Sequence, residues 1–265
     1  MNNYRVRPGE KVDLDEIDPD DTHLMPGGKD EAQEKSAKIQ DRLRRQQELL
    51  FAGHQHKLLI VLQGMDTSGK DGTIRHVMTG FNPMGTRVAS FGVPSTVELD
   101  RDYLWRIHRE VPAKGQVGVF NRSHYEDVLV VRVHNLVPKA VWKKRYDQIV
   151  AFEQMLYEEG TVILKFFLHI SKSEQRKRLQ ARIDDPTKRW KFQHGDLEER
   201  KLWGDYRRAY QDALSKTSTD DSPWYIIPAN QKWYRNFVVG SVVADTLEGL
   251  GMSYPKLDLS GIVIE

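Results

Sequence analysis

Lys57-Leu58-Leu59-Ile60-Val61-Leu62-Gln63 runs directly into Gly64-Met65-Asp66-Thr67-Ser68-Gly69-Lys70-Asp71-Gly72. A short apolar run followed at once by a glycine loop reads as a buried parallel strand. The loop fits Gly-x4-Gly-Lys, with Asp71 where Ser or Thr normally stands. Its glycines let the backbone wrap tightly and turn N–H groups inward on phosphate oxygens. A helix beginning near Lys70 adds the positive end of its dipole, and Lys70 adds a point charge. The usual hydroxyl helps hold Mg²⁺; Asp71 can take that part directly or through water, because Mg²⁺ prefers carboxylates and water. Asp66 is a further carboxylate beside such a metal. The plainer alternative is a glycine turn that merely links strand to helix, but both the strand before and the helix after match the context that a phosphate loop requires.

Outward from this unit the pattern alternates. Residues 30–52 read as an amphipathic helix carrying Leu43, Leu49, Leu50 and Phe51. Strands are predicted at Thr86–Phe91, Val117–Phe120, Thr161–Ile170 and Trp224–Pro228, and helices at Glu98–Arg109, Pro138–Glu159, Leu197–Leu214 and Tyr234–Leu250. Ser171, with Glu174 three residues on, predicts a capping box that opens another helix. Five strands alternating with helices imply an α/β fold with a parallel sheet covered on both faces. Residues 1–28, polar, acidic and rich in Pro and Gly, are expected to form an irregular arm, and 29–265 a single domain.

Two further clusters bear on chemistry. Val117-Gly118-Val119-Phe120 ends in Asn121, followed by Arg122-Ser123-His124-Tyr125-Glu126-Asp127. Arg122 suits phosphate oxygens, and Glu126 and Asp127 supply a second acidic site of the kind that orients Mg²⁺ in phosphoryl transfer. The alternative is a solvated helix start with acids near its positive end. His124 could carry a proton, but it is more readily read as a surface or packing histidine. Residues 172–191 are strongly basic, and Arg178 and Arg182 share one helix face; this segment, approximately 171–200, is expected to be a lid that closes on phosphate, against the alternative of a solvated charged face. Arg106 and Lys114 are expected to face the acceptor, and Lys232 and Arg235 to follow the last strand at the sheet edge where ligands gather.

Composition narrows the classes. The 265 residues carry a formal net charge of +2 and 39% hydrophobic residues, enough apolar content for a core and no global basic excess toward nucleic acid. The chain has no cysteine, which excludes disulfides, thiolate metal sites and a cysteine nucleophile. No stretch matches a membrane span, and Met1-Asn2-Asn3-Tyr4-Arg5 lacks a signal-peptide core; a cytoplasmic protein is expected, with no membrane or nucleic-acid partner.

Taken together, Gln63–Gly72, Phe81-Asn82-Pro83, Leu104-Trp105-Arg106-Ile107-His108, Gly118–Val128 and Trp224-Tyr225-Ile226-Ile227-Pro228-Ala229 resemble polyphosphate kinase family 2 along nearly the whole chain. Tyr4-Arg5-Val6-Arg7-Pro8-Gly9, with Asn121 before the arginine, resembles its class III branch. The resemblance implies a P-loop kinase fold similar to thymidylate kinase with a basic helical lid. It also implies reversible Mg²⁺-dependent transfer between inorganic polyphosphate and adenine nucleotides, AMP and ADP, with guanine left open, and a homodimer or homotetramer. It assigns Asp66, Lys70, Arg122 and Asp127 to catalysis, with Asp66 and Asp127 on the metal. Gly64, Met65, Thr67, Ser68, Gly69, Asp71, Gly72, Arg106, Lys114, Asn121, Arg178 and Arg182 are the candidate phosphate or nucleotide contacts. The residues themselves leave two other readings open: an ATP-dependent nucleotide or small-molecule kinase, and a P-loop protein that binds without turnover.

Overall fold

The computed structural model describes residues 2–258 together with Ser260 and Ile264. Met1, Leu259, residues 261–263 and Glu265, parts of the expected arm and domain, lie outside the described residues. In chain order the elements are α1 (Gly28–Gly53), β1 (Lys57–Gln63), α2 (Lys70–Met78), β2 (Thr86–Ser90), α3 (Thr96–Leu99), α4 (Trp105–His108), β3 (Val117–Asn121), α5 (Val130–Val133), α6 (Lys139–Glu158), β4 (Thr161–His169), α7 (Lys172–Asp184), α8 (Gly195–Lys201), α9 (Trp203–Thr217), β5 (Trp224–Pro228) and α10 (Lys232–Gly249). The strands form one five-stranded sheet in the order β2-β3-β1-β4-β5, with every neighbouring pair parallel. This is the α/β architecture with a parallel sheet that the alternating pattern implies.

The central strand shows why. Leu58 to Gln63 are all buried, so both faces of the sheet must be covered by helices. Register then aligns the strand ends: Leu62 pairs with Asn121 and Gln63 with Phe167. The segments that follow β1, β3 and β4 therefore open on one edge, where ligands of such sheets gather.

Two expected helices are interrupted. Over 98–109 the chain makes α3 and α4 as separate turns. Ser95 and Glu98 form a capping box that starts α3 earlier than expected, and Asp102 Oδ1 accepts the Leu104 N–H at 3.0 Å, offering the backbone a turn in place of a helix. Over 197–214 the helix breaks at Leu202, whose N–H reaches Glu199 and whose carbonyl takes Asp205; the break lets Trp203 and Tyr206 pack on the core. At the start of α7, Ser171 Oγ caps the Glu174 N–H at 3.0 Å. The expected return bond is replaced: the Ser171 N–H donates to Asn230 Oδ1, and Glu174 accepts from Arg178.

Residues 2–27 are ordered against the sheet. Arg5 bridges Tyr225 in antiparallel sense, the Val6 N–H donates to Trp224 at 2.8 Å, and the Tyr4 and Tyr234 hydroxyls meet at 2.5 Å. Val6, Val12, Leu14 and Met25 are buried.

Inside the core lies a charged network. Lys165 of β4 is fully buried and donates to Glu153 Oε2 at 2.5 Å, Thr217 O at 2.7 Å and Tyr125 Oη at 2.9 Å. Glu153 of α6 also receives Tyr125 Oη and contacts His124 Nε2. Burial opposes ionisation of Glu153, and Lys165 with His124 overcomes it, holding the carboxyl below its usual range. The network ties α6 and β4 to the segment 123–127. Removing one partner strands the other charge, so Lys165→Met is expected to cost about 3–5 kcal/mol in urea unfolding, and pairing it with Glu153→Leu to recover most of that loss.

Candidate active site

Two positions of the loop after β1 require glycine. Gly69 has φ +102°, and a Cβ there would lie 1.9 Å from the Arg235 guanidinium. At Gly64 a Cβ would meet Ser68 Oγ at 2.7 Å and the Leu168 carbonyl at 2.8 Å. Thr67 also stands in the left-handed region, at φ 65°, a conformation that persists for such a residue only where surroundings impose it. Those surroundings are two buried arginines. Arg178 of α7 donates to the carbonyls of Thr67 and Ser68 at 2.9 Å each, of Ala229 at 2.6 Å and of Asn230 at 2.9 Å. Arg235 of α10 donates to the same Ser68 carbonyl at 3.2 Å. Across its trans peptide plane the Gly69 N–H then points away from the arginines.

On the open side, Lys70 Nζ donates to Gly64 O at 2.8 Å. Burial pushes its ammonium below the usual range, partly offset by Asp66. Arg122, itself left-handed at φ 63°, follows β3 and reaches Asp66 Oδ1 at 3.2 Å. Burial opposes its charge, but Glu126 and Asp66 overcome this and hold it above its ordinary value. Asn121 Nδ2 donates to Asp71 Oδ1 at 3.0 Å, and Lys191 stands 3.8 Å from the other Asp71 oxygen. Glu126 is raised by burial, against the pull of Arg122 and Lys70. The loop, Asp66, Asn121, Arg122 and Glu126 thus form one cluster. Met65 and Ser68 are buried within the loop and Gly72 is exposed on the first turn of α2. Among the described residues the Thr67 and Ser68 hydroxyls have no hydrogen-bond partner.

Asp127 has different surroundings. Arg145 of α6 donates to its Oδ1 at 2.8 Å and to its backbone carbonyl at 3.1 Å. Burial pushes its carboxyl up to about 6, against the lowering by Arg145 and Arg106. Arg106 is buried, bonded to Gly92 O at 3.0 Å, with its guanidinium over Phe91. The acid of the 126–127 pair that feels Asp66 is Glu126.

Three expected contacts fall elsewhere. Arg178 does not reach out as a lid residue: its guanidinium is committed to four carbonyls and to Glu174 Oε1 at 2.8 Å, which uses all five of its donors. Lys114 lies at the opposite end of the sheet. It precedes β3, and its neighbour Gly115 bonds to His56 ahead of β1, so parallel register carries it away from the loop. Arg182 is held within the basic segment by Lys191 O at 3.3 Å and Asp196 at 3.4 Å. Two residues were not singled out from sequence. Arg145 sits in an ordinary basic stretch, and Gln175, buried, donates to Asp66 O at 3.1 Å; neither carries a pattern that marks it.

The polyphosphate kinase 2 family matches residues 27–253. The chain belongs to the polyphosphate kinase 2 family. It is 60% identical over 267 residues, covering the full length of both, to the AMP/ADP-polyphosphate phosphotransferase of Meiothermus ruber. It is 49% identical over 265 residues to the ADP-polyphosphate phosphotransferase of Rhodopseudomonas palustris, covering 96% of this chain and 91% of that one. The crystal structure of polyphosphate kinase 2 from Arthrobacter aurescens TC1 matches with a TM-score of 0.94 at 45% identity, over 97% of this chain and 92% of that one.

The elevated Asp127 carboxyl carries a stability signature. A carboxyl raised in the folded state favours folding while protonated, and that contribution is lost as pH rises through about 6. Asp127→Asn keeps an acceptor for Arg145 and does not titrate. In urea unfolding of ligand-free protein, the stability of Asp127→Asn relative to wild type is expected to increase by up to about 3 kcal/mol between about pH 4 and about pH 8. A pH-independent difference would contradict the burial of this carboxylate.

Proposed function

We propose that this polyphosphate kinase 2 family member transfers the terminal phosphoryl group of inorganic polyphosphate reversibly to AMP and to ADP, forming ADP and ATP, with Mg²⁺. The observation that carries this reading is the full-length 60% identity to a phosphotransferase named for both acceptors; the geometry supplies the means. An acceptor phosphate oxygen attacks the terminal phosphorus, the bridging P–O bond breaks, and the shortened chain leaves as an anion. The attacking oxygen is already ionised near neutral pH, so no general base is needed, and positioning with charge neutralisation does most of the work.

The loop residues Gly64 to Gly72 cradle the transferred group, with Lys70 on its oxygens. Arg122, half-exposed and tethered by one contact to Asp66, exchanges that carboxylate for a phosphate oxygen. Asn121 and Arg106 orient the acceptor side. Among the described residues no three His, Cys, Asp or Glu side chains form a metal cage; Mg²⁺ needs none, since one or two carboxylates plus water and phosphate oxygens satisfy it. Asp66 is partly exposed, and the Arg145 pair engages only Oδ1 of Asp127; these two carboxylates would hold the ion, with Glu126, the acid that feels Asp66, between their two clusters. When bound, the ion neutralises charge on the phosphate oxygens.

Two coarser features complete the reading. Among the described residues β2 pairs only with β3, and the exposed Met84, Val88 and Val93 lie at or beside it, which supports a homodimer or homotetramer. Among the described residues no helix is long and apolar enough to cross a membrane, and the proposed nucleotide substrates support a cytoplasmic location.

Purified protein given Mg²⁺, long-chain polyphosphate and no ATP is expected to make ADP and ATP from AMP, and ATP from ADP, resolved by chromatography. Product from one acceptor alone would overturn the dual specificity, and turnover only with ATP as donor would overturn the polyphosphate reading. Lys70→Ala and Asp127→Asn are each expected to lower turnover by roughly 10²-fold or more with the fold intact by circular dichroism, and a chelator is expected to abolish turnover until Mg²⁺ is restored.

A further inference from the structure

α7 holds three successive carbonyls of the phosphate loop. Arg178 takes those of Thr67 and Ser68. Gln175, three residues earlier and on the same helix face, takes that of Asp66, its Nε2 donating at 3.1 Å. Gln175 is buried, and the other end of its amide is also engaged: Oε1 accepts from Arg200 Nη1 of α8 at 2.9 Å. The same nitrogen donates to the Lys172 carbonyl at 2.8 Å. A guanidinium can only donate, so Arg200 fixes which way the amide faces, oxygen toward α8 and NH₂ toward Asp66. α8 is anchored from another direction as well. Glu199, the residue before Arg200, accepts from the Tyr206 hydroxyl of α9 at 2.6 Å and stands 2.9 Å from His134 Nε2, just after α5.

The consequence lies on the other side of the peptide bond. In a trans peptide the carbonyl and the following N–H point in opposite directions, and the chain has no cis bond among the described residues. The Asp66 carbonyl, drawn toward Gln175, therefore sends the Thr67 N–H away from α7. Ser68 spends its own N–H within the loop, on the Met65 carbonyl at 3.0 Å. Among the described residues no protein group accepts the Thr67 N–H. Thr67 stands in the left-handed region at φ 65°, which its surroundings must impose. Gln175 pins the peptide plane before it and Arg178 the plane after it.

We propose that Gln175 is a positioning residue for phosphoryl transfer: locked by Arg200, it holds the Asp66 carbonyl and thereby aims the Thr67 N–H at an oxygen of the phosphate in the loop. This role rests on the phosphoryl-transfer reading above and deepens it. A donor fixed in advance stabilises the charge on those oxygens without having to reorganise. Neither side chain touches substrate; Arg200 acts through Gln175, and Gln175 through the peptide plane.

The test measures kcat and KM with ADP and long-chain polyphosphate for wild type, Gln175→Glu, Gln175→Met, Arg200→Met and the double variant Gln175→Met/Arg200→Met. Gln175→Glu keeps an acceptor for Arg200 but sets a carboxylate oxygen against the Asp66 carbonyl. Both Gln175 variants are expected to lower kcat about tenfold, with the KM for ADP within about twofold and the folded fraction at the assay temperature unchanged by circular dichroism. Arg200→Met is expected to lower kcat about threefold, and to lower it no further once Gln175 is methionine. Wild-type kcat in any single variant, losses that multiply in the double variant, or a loss matched by the unfolded fraction would each overturn the pair. Wild-type protein that uses ATP but not polyphosphate as donor would overturn the polyphosphate reading alone, and the same variants then decide the pair with ATP. Wild-type protein inactive with either donor would overturn both.

Discussion

Arg178 and Arg235 meet at one backbone carbonyl, that of Ser68, and the geometry of the phosphate loop follows from that meeting. Two buried guanidinium groups side by side are costly: burial, and then Arg178, pushes Arg235 down to about 9. The cost is offset by Glu174 on Arg178 and by carbonyl oxygens drawn from two separate turns. The Thr67 and Ser68 carbonyls are turned to the back, Thr67 is held left-handed, and the space over Gly69 is filled, so that no side chain fits there. A loop whose dipoles are fixed before ligand arrives stabilises developing charge without having to reorganise. Because Arg178 belongs to α7, the basic segment is also rooted in the loop that it follows in space but not in sequence.

On the open side the charges alternate. Lys70, Asp66, Arg122 and Glu126 form one mixed cluster, and Asp127 with Arg145 and Arg106 forms the next. Burial raises Glu126 and Asp127 and lowers Lys70, so the protein holds these groups in a medium where their interactions are stronger than in water. Segment 122–127, which carries much of this charge, is itself fixed from beneath. The Tyr125 hydroxyl and the His124 ring end on Glu153, and Glu153 on Lys165. His124 is therefore part of a buried polar network.

Much of the fold could be read residue by residue. The apolar run before the glycines, the alternation of strand and helix, and the Gly-x4-Gly-Lys spacing are local signals, and each has a local physical cause. The limits are also local. Asp102 competes for the backbone and splits the helix expected over 98–109; Leu202 lets the chain turn so that Trp203 and Tyr206 reach the core. Neither event disturbs hydrophobic periodicity enough to show in the pattern. Arg178 and Arg182 are equivalent in sequence, four apart on one helix face, yet Arg178 lies buried behind the loop and Arg182 pairs with Asp196. Lys114 illustrates the same limit, since parallel register places it at the far end of the sheet. Arg145, which pairs with Asp127 across a separation of 18 residues, had no sequence mark at all.

The sequence by itself determined the class of fold, the phosphate loop and the acids and cations available to it, because strand burial, glycine conformation and side-chain chemistry are properties of short segments. Only the tertiary structure decided which charges face one another. Parallel register brings Asn121 and Arg122 to the loop and sends Lys114 away, and α10, the helix that follows the last strand, delivers Arg235 to Ser68 from 167 residues along the chain. Pairing of that kind depends on how the sheet closes and on where burial leaves a charge in need of a partner, and neither is encoded in spacing along the chain.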